Sequence, residues 1–187
     1  MNKRICAMIL GTMFAVSGLI FAQDSPNLLK NSDLKLNKDG QLTDWNVGSG
    51  KCSQTAGYKG KNSVLVTLAT APVGAPAGFE EWRKEIMTQQ VNGLKPGKYI
   101  FTAYVKLNRK IQDIVLISII TVDAKEVYEG TSLKAPDQPE PEAWGKVMAE
   151  FNIPAGINSA TIAFDFRDSS PGATVCVDSP ILTYKSE

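Results

Sequence analysis

The chain has 187 residues, 43% hydrophobic and 21% charged, with 15 Gly and 10 Pro, which is the composition of a single globular domain and excludes disordered and collagen-like classes. Its 20 Lys and Arg against 19 Asp and Glu leave a net charge of +1, without the basic excess that a phosphate backbone calls for, so nucleic acid is not an expected partner. There is no His, which excludes Ser-His-Asp and Cys-His catalysis and His-ligated zinc and leaves carboxylates as the only catalytic groups an enzyme could use.

At the N-terminus, Lys3 and Arg4 precede an apolar run from Ile5 to Ala22 that ends in a small residue, the pattern of a secretory signal peptide cleaved after Ala22. Gly11, Thr12, Ser17 and Gly18 interrupt the run, which barely reaches spanning length, so no membrane insertion is expected after cleavage. The expected mature chain is one domain, residues 23–187, in the periplasm or outside the cell. Cleavage removes Cys6 and leaves Cys52 and Cys176, an even pair in an oxidising compartment, which predicts a disulfide between them.

Further along, Val64, Val66 and Leu68 recur at every second position, as residues on one buried face of a strand do. Ile86 to Val91 is a second strand. Asn92-Gly-Leu-Lys-Pro-Gly97 then reads as a turn, and Tyr99, Phe101, Ala103 and Val105 alternate beyond it against Ile100, Thr102, Tyr104 and Lys106. Asp113 to Val122 is apolar on both faces, the expectation for a central strand covered on both sides. Val147 to Phe151, Ile162 to Phe166 and Val175 to Val177 complete the strands. Two Pro-rich stretches, Thr70 to Phe79 and Leu133 to Ala143, read as long loops, the second with Asp137, Glu140 and Glu142 among its prolines. Many short strands with Gly/Pro turns and no helical periodicity predict an all-β, two-sheet sandwich.

The order of these pieces resembles the carbohydrate-binding modules of the family 4/9/22 type. Asn27-Leu-Leu-Lys-Asn31-Ser-Asp33-Leu34 and Leu42-Thr-Asp-Trp45 are similar to that family's opening, and Met87-Thr-Gln89 through Gly97-Lys-Tyr99 to Tyr104-Val-Lys106 is similar to its central signature. Trp144 with Phe151-Asn-Ile-Pro154, and Val175-Cys-Val-Asp178-Ser-Pro-Ile-Leu, close the series, so the resemblance spans residues 27–184. It implies a jelly-roll sandwich of the galactose-binding-like type, without catalytic activity, holding a glycan in a cleft on one concave sheet. It also implies a structural calcium ion held by Asp178 of the last strand with the N-terminal segment around Asn31 and Asp33. Lys35 and Ser179-Pro180 depart from the family's pattern at that site.

A pyranose ring has an apolar face that stacks on aromatic side chains and a rim of hydroxyls that planar polar groups satisfy. If Met87, Gln89 and Val91 point inward, Trp82, Lys84, Thr88 and Gln90 share the opposite face, and Tyr104 lies opposite the core on the next strand. Trp82 and Tyr104 are therefore expected to line one cleft on adjacent strands, with Gln90 and Arg83 orienting hydroxyls. Trp45 and Trp144 are expected to pack at strand ends, and Arg109, Asp165 and Arg167 to be solvated or paired at the surface. Acids such as Glu85, Glu150 and Asp165 are present, but none lies in the strand pattern of jelly-roll glycanases, so no enzyme activity is expected. A lone exposed Trp with scattered tyrosines suits a soluble polysaccharide or oligosaccharide rather than a crystalline surface. The competing reading is a structural or adhesive protein of the cell envelope, with a protein partner for the same sandwich.

Overall fold

The computed structural model describes residues 26–48, 51–58, 62–68, 84–168 and 172–185. The expected signal peptide, the Thr70 to Phe79 loop, Trp82 and Arg83 lie outside the described residues. Ten strands follow in chain order: β1 (Asn46–Val47), β2 (Lys51–Ala56), β3 (Asn62–Thr67), β4 (Lys84–Asn92), β5 (Gly97–Leu107), β6 (Asp113–Val122), β7 (Lys125–Lys134), β8 (Gly145–Ile153), β9 (Ser159–Arg167) and β10 (Thr174–Tyr184). They form two five-stranded antiparallel sheets, ordered β1-β4-β9-β6-β7 and β2-β3-β10-β5-β8, the expected two-sheet β-sandwich.

Alternation along the strands builds the core. Met87 and Val91 from β4, Ile114 and Leu116 from β6 and Ile162, Phe164 and Phe166 from β9 face Val64 and Val66 from β3, Tyr99, Phe101 and Val105 from β5 and Val175 and Val177 from β10, all buried. Phe164 lies at the centre, its ring 4.8 Å from Phe101, 5.8 Å from Phe166 and 6.1 Å from Trp45. Gln89 also points inward, as expected, and its amide binds the N-terminal segment: Oε1 accepts from Lys30 N–H at 2.7 Å and Nε2 donates to the Lys30 and Asp44 carbonyls at 3.0 Å. Asn27 does the same for β10, donating to the Pro180 carbonyl and accepting from Leu182 N–H.

The segment between β4 and β5 is an arch and not a hairpin. Leu94 is buried and its N–H donates to the Asn158 carbonyl, while the Tyr99 hydroxyl accepts from Lys95 N–H and donates to the Lys95 carbonyl. Gly97, at φ +132°, ends the arch where a Cβ would come within 2.7 Å of the Tyr184 hydroxyl. The chain therefore crosses from one sheet to the other, and β4 and β5 are not neighbours. Gln90 and Tyr104, expected on adjacent strands, therefore lie in different sheets.

Three further expectations are corrected. β6 is covered on both sides over its first half only: on its outer face Asp113 and Val115 are buried, whereas Ile117 and Ile119 are half-buried. The Leu133 to Ala143 segment is a strap rather than a free acidic loop. It opens in β7, continues through one 3₁₀ turn at Ala135–Asp137, and is pinned by buried Gln138, which donates to the Ile111 and Leu133 carbonyls and accepts from Ile111 N–H. Glu140 and Glu142 pair with Lys110 and Lys106.

The third correction concerns the disulfide. Cys52 is paired with Val66 and packs toward the core, whereas Cys176 is paired with Leu65 and Lys106 on the outer face of the same sheet. With β3 between their strands, the two backbones are about 9–10 Å apart, beyond the roughly 7 Å that a disulfide spans. No bond joins Cys52 to Cys176. Burial raises the Cys176 thiol pKa, an effect larger than the opposing pull of Lys106. Alkylation of Cys176 in the native chain is therefore expected to be much slower than that of a free thiol at pH 8, and to recover on unfolding without reductant; a requirement for reductant, read by mass spectrometry of the tagged peptide, would reinstate the bridge.

Candidate functional site

The sandwich has two outer faces. On the β2-β3-β10-β5-β8 face, Tyr104 stands between Asp178 of β10 and Lys146 of β8. The Tyr58 ring stacks on it at 4.0 Å and 19°, the half-buried Trp144 ring packs against Tyr58 at 6.2 Å, and the Lys106 ammonium lies 5.8 Å from the Trp144 centroid. The Tyr104 ring is thus occupied by the protein's own side chains.

Asp178, where the resemblance puts calcium, is buried on this same face. Its Oδ2 accepts from Tyr58 N–H at 2.5 Å and its Oδ1 from the Ser179 hydroxyl at 2.7 Å. Asn31 accepts from Lys35 N–H and donates to the Lys35 and Thr43 carbonyls, fixing its own loop, and exposed Asp33 faces Lys35 at 3.5 Å. Calcium takes six to eight oxygens. Among the described residues no group of three or more Asp, Glu or Cys side chains is gathered here, and the Asp178 and Asn31 oxygens accept hydrogen bonds from the chain itself.

The other face, β1-β4-β9-β6-β7, carries uncovered chemistry in rows that cross the strands, since directly paired residues share a face. The first row is Gln90, Thr161, Ile119 and Tyr128. Thr161 Oγ1 donates to Gln90 Oε1 at 2.8 Å. Tyr128 is 58% exposed, and its hydroxyl donates to the Glu126 carboxylate, a bond that raises the phenol pKa. A recess of about 260 Å³ opens here, lined by Gln90, Thr161, Ile119, Thr121, Glu126 and the turn at 156–159. The second row, Asn46, Thr88, Ala163, Ile117 and Gly130, is a trough with small residues at its floor. At Gly130 a Cβ would meet the Leu116 carbonyl oxygen at 2.0 Å, so only glycine lets β7 lie this close to β6.

Two more rows hold a charge network. Asp165, Val115 and Ser132 align, and beside them Arg167, Asp113 and Lys134. Asp165 and Asp113 are only 4% exposed at their side chains. Arg167 Nε and Nη2 donate to Asp165 Oδ2 at 2.8 and 2.5 Å, and Lys134 Nζ and Ser132 Oγ donate to Asp113 at 2.6 and 2.5 Å. The hydrogen bonds to Asp165 raise the Arg167 pKa, against the opposing effect of burial and with help from the charges of Asp165 and Asp113. Of the two expectations for Asp165 and Arg167, solvated or paired, the structure shows the pair, with the Asp165 carboxylate buried at one end of this face. Gln90 is the sequence-predicted contact that the structure places here, while Tyr128, Thr161 and Asp113 had no sequence signal beyond their residue types.

Asp165 is buried while Arg167 keeps about 40% exposure, so Arg167→Met leaves a carboxylate uncompensated. Allowing for that exposure, the variant is expected to lose about 1–3 kcal/mol by urea denaturation, and Asp165→Asn in the same background to recover part of it. Excess chelator is expected to leave the melting temperature of the native chain unchanged; a fall would show that a metal ion stabilises the folded state.

No protein-family model and no curated protein matches the sequence. Solved structures do match it. A family 61 carbohydrate-binding module in complex with β-1,4-galactotriose is 16% identical, with a TM-score of 0.60 over 86% of this chain and 100% of that one. The xylan-binding CBM22-1 domain of Xyn10C from Paenibacillus barcinonensis is 18% identical, with a TM-score of 0.60 over 89% and 99%. A family 16 carbohydrate-binding module is 20% identical, with a TM-score of 0.57 over 84% and 99%. The chain has the fold of the carbohydrate-binding β-sandwich modules, in agreement with the resemblance carried by its sequence.

Proposed function

We propose that the protein is an exported, non-catalytic carbohydrate-binding protein that lays a soluble polysaccharide or oligosaccharide chain across the outer face of β1-β4-β9-β6-β7. The observation that carries this is the row Gln90, Thr161, Ile119 and Tyr128: a planar amide, a hydroxyl, an aliphatic side chain and an exposed phenol ring crossing four strands above a recess. These are the groups that a sugar's hydroxyl rim and apolar face require. Sugars bound by the structural neighbours support the same ligand class.

Two features favour a binder over an enzyme. A glycosidase needs one carboxylic acid that keeps its proton in the cleft and a second carboxylate facing it. Asp113 and Asp165, the buried acids of this face, each accept hydrogen bonds from a cation instead. Tyr128 is the single aromatic ring on this face among the described residues, which suits one soluble chain rather than a crystalline surface that needs a coplanar aromatic array. Export follows from the N-terminal sequence, and among the described residues no helix is long and apolar enough to cross a membrane.

Tyr128→Ala is expected to weaken glycan binding by about 2 kcal/mol, as loss of a central anchor does, with a near-native melting temperature because the ring is exposed. Gln90→Ala is expected to cost less, and Trp82→Ala, the contact suggested by the sequence alone, to weaken binding in the same assay. Retention on polysaccharide affinity gels measures all three. Full retention by Tyr128→Ala and Gln90→Ala would remove this face from sugar binding and favour the envelope-partner reading.

A further inference from the structure

Period two along β7 turns Glu126 to the same face as Tyr128 and Lys134, opposite Thr121 of β6. Glu126 is exposed and is the single charged side chain lining the recess of about 260 Å³. The lining residues and their chain neighbours on either side are all described, and neither Asp123 nor Lys125 at the nearby hairpin turn lines it. Lys134 lies eight residues further along β7, about 26 Å away, with Arg167 in its row. The Glu126 carboxylate is held in place: its Oε2 accepts from the Tyr128 hydroxyl, and it accepts from no other group among the described residues. Across the recess, Gln90 Oε1 is taken by Thr161 Oγ1, which leaves the two Nε2 hydrogens of that amide as donors. The recess therefore has an acceptor wall on β7 and a donor wall on β4, with β9 and β6 between them.

We propose that Glu126 sets the specificity of this face for neutral glycans: its carboxylate accepts the hydroxyls of a neutral pyranose seated in the recess and repels one that carries a carboxylate or a sulfate. This rests on the reading of the face as a glycan surface. An ionised carboxylate only accepts, so it suits hydroxyls, which donate, and hydrogen bonds to it are about twice as strong as those between neutral groups. An anionic sugar in the same place meets like charge, while the cations of the face, Arg167 and Lys134, stand at its far end bound to Asp165 and Asp113. Attraction for the right ligand and repulsion of the wrong one then come from a single side chain.

The experiment is isothermal titration calorimetry of the native chain, Glu126→Gln, Glu126→Lys and Tyr128→Ala with two matched pairs of soluble polysaccharides. One pair is β-1,4-galactan and the same galactan with its primary hydroxyls oxidised to carboxylates; the other is xylan and glucuronoxylan. The native chain is expected to bind the neutral member of at least one pair about tenfold more tightly than the acidic member at low ionic strength, a ratio that shrinks as salt screens the charge. Glu126→Gln, of similar shape and without the charge, is expected to bind the neutral member severalfold more weakly and to bring the acidic one within about twofold of it, and Glu126→Lys to reverse the order. A gain in acidic binding is an effect that damage to the fold does not produce. Equal or tighter binding of the acidic members by the native chain, or a ratio that neither variant moves, overturns the specificity; if Tyr128→Ala still loses binding in those titrations, the face keeps its function. Native binding by Tyr128→Ala, or no binding of any of the four polysaccharides by the native chain, brings down the face and the specificity together.

Discussion

The architecture depends on the arch between β4 and β5. A hairpin there would lay β4 and β5 side by side on one sheet. Burying Leu94 and tying the Lys95 backbone to the Tyr99 hydroxyl sends the chain across the core instead. β4 then pairs with β9 and β5 with β8 and β10, so each sheet draws its members from distant parts of the sequence. Burial of side chains such as Leu94 and Tyr99, each worth about 1.5–3 kcal/mol, makes this crossing stable where turn chemistry alone favours a hairpin.

From that crossing follow two outer faces with different fates. On the β5 side, aromatic groups are used up internally: Tyr58 stacks on Tyr104, Trp144 packs against Tyr58, and Asp178 holds the Tyr58 backbone. On the β4 side, the polar and apolar groups of the rows face outward, and buried carboxylates hold their cations from beneath. Arg167 uses Nε and Nη2 on Asp165 and keeps other N–H groups at its exposed edge. A donor already oriented in this way loses little rotamer freedom on meeting a hydroxyl, so under the proposed function the charge network would act by preorganisation more than by net charge.

Much of this was legible in the sequence. Alternation in Tyr99 to Val105, Val64 to Leu68 and Ile162 to Phe166 gave the buried faces of β5, β3 and β9, and the inward direction of Gln89 was implied by the resemblance to the family strand. β7 was missed because its hairpin turn is Asp123-Ala124, both at positive φ, without the glycine that marks such turns, and because its side chains are exposed on both faces. β6 was read correctly over its first half, where Asp113 and Val115 are buried on the outer face, and too broadly beyond it, where Ile117 and Ile119 are half-buried. The cysteine pair failed for a reason that counting cannot reveal: compartment and parity favour a bond, but the residues lie two strands apart and on opposite faces of the sheet.

The charge pairs show why the site was harder to read than the core. Core positions are announced by a period of two in apolar residues, which needs no knowledge of partners. Asp165 and Arg167 occupy the outward positions of that period, and their meaning, like that of Asp113, comes only from register: Asp113 lies opposite Arg167 and beside Asp165 because β6 and β9 pair at that offset. Shifting the register by one residue would turn Phe164 and Phe166 outward and bring Asp165 and Arg167 into the core, at a cost in lost apolar burial and unpaired charge far above any gain in pairing. The aromatic core therefore fixes the register, and the register assembles the polar face; the residues proposed to hold sugar are placed by Phe164 and its neighbours on the other side of the same strand.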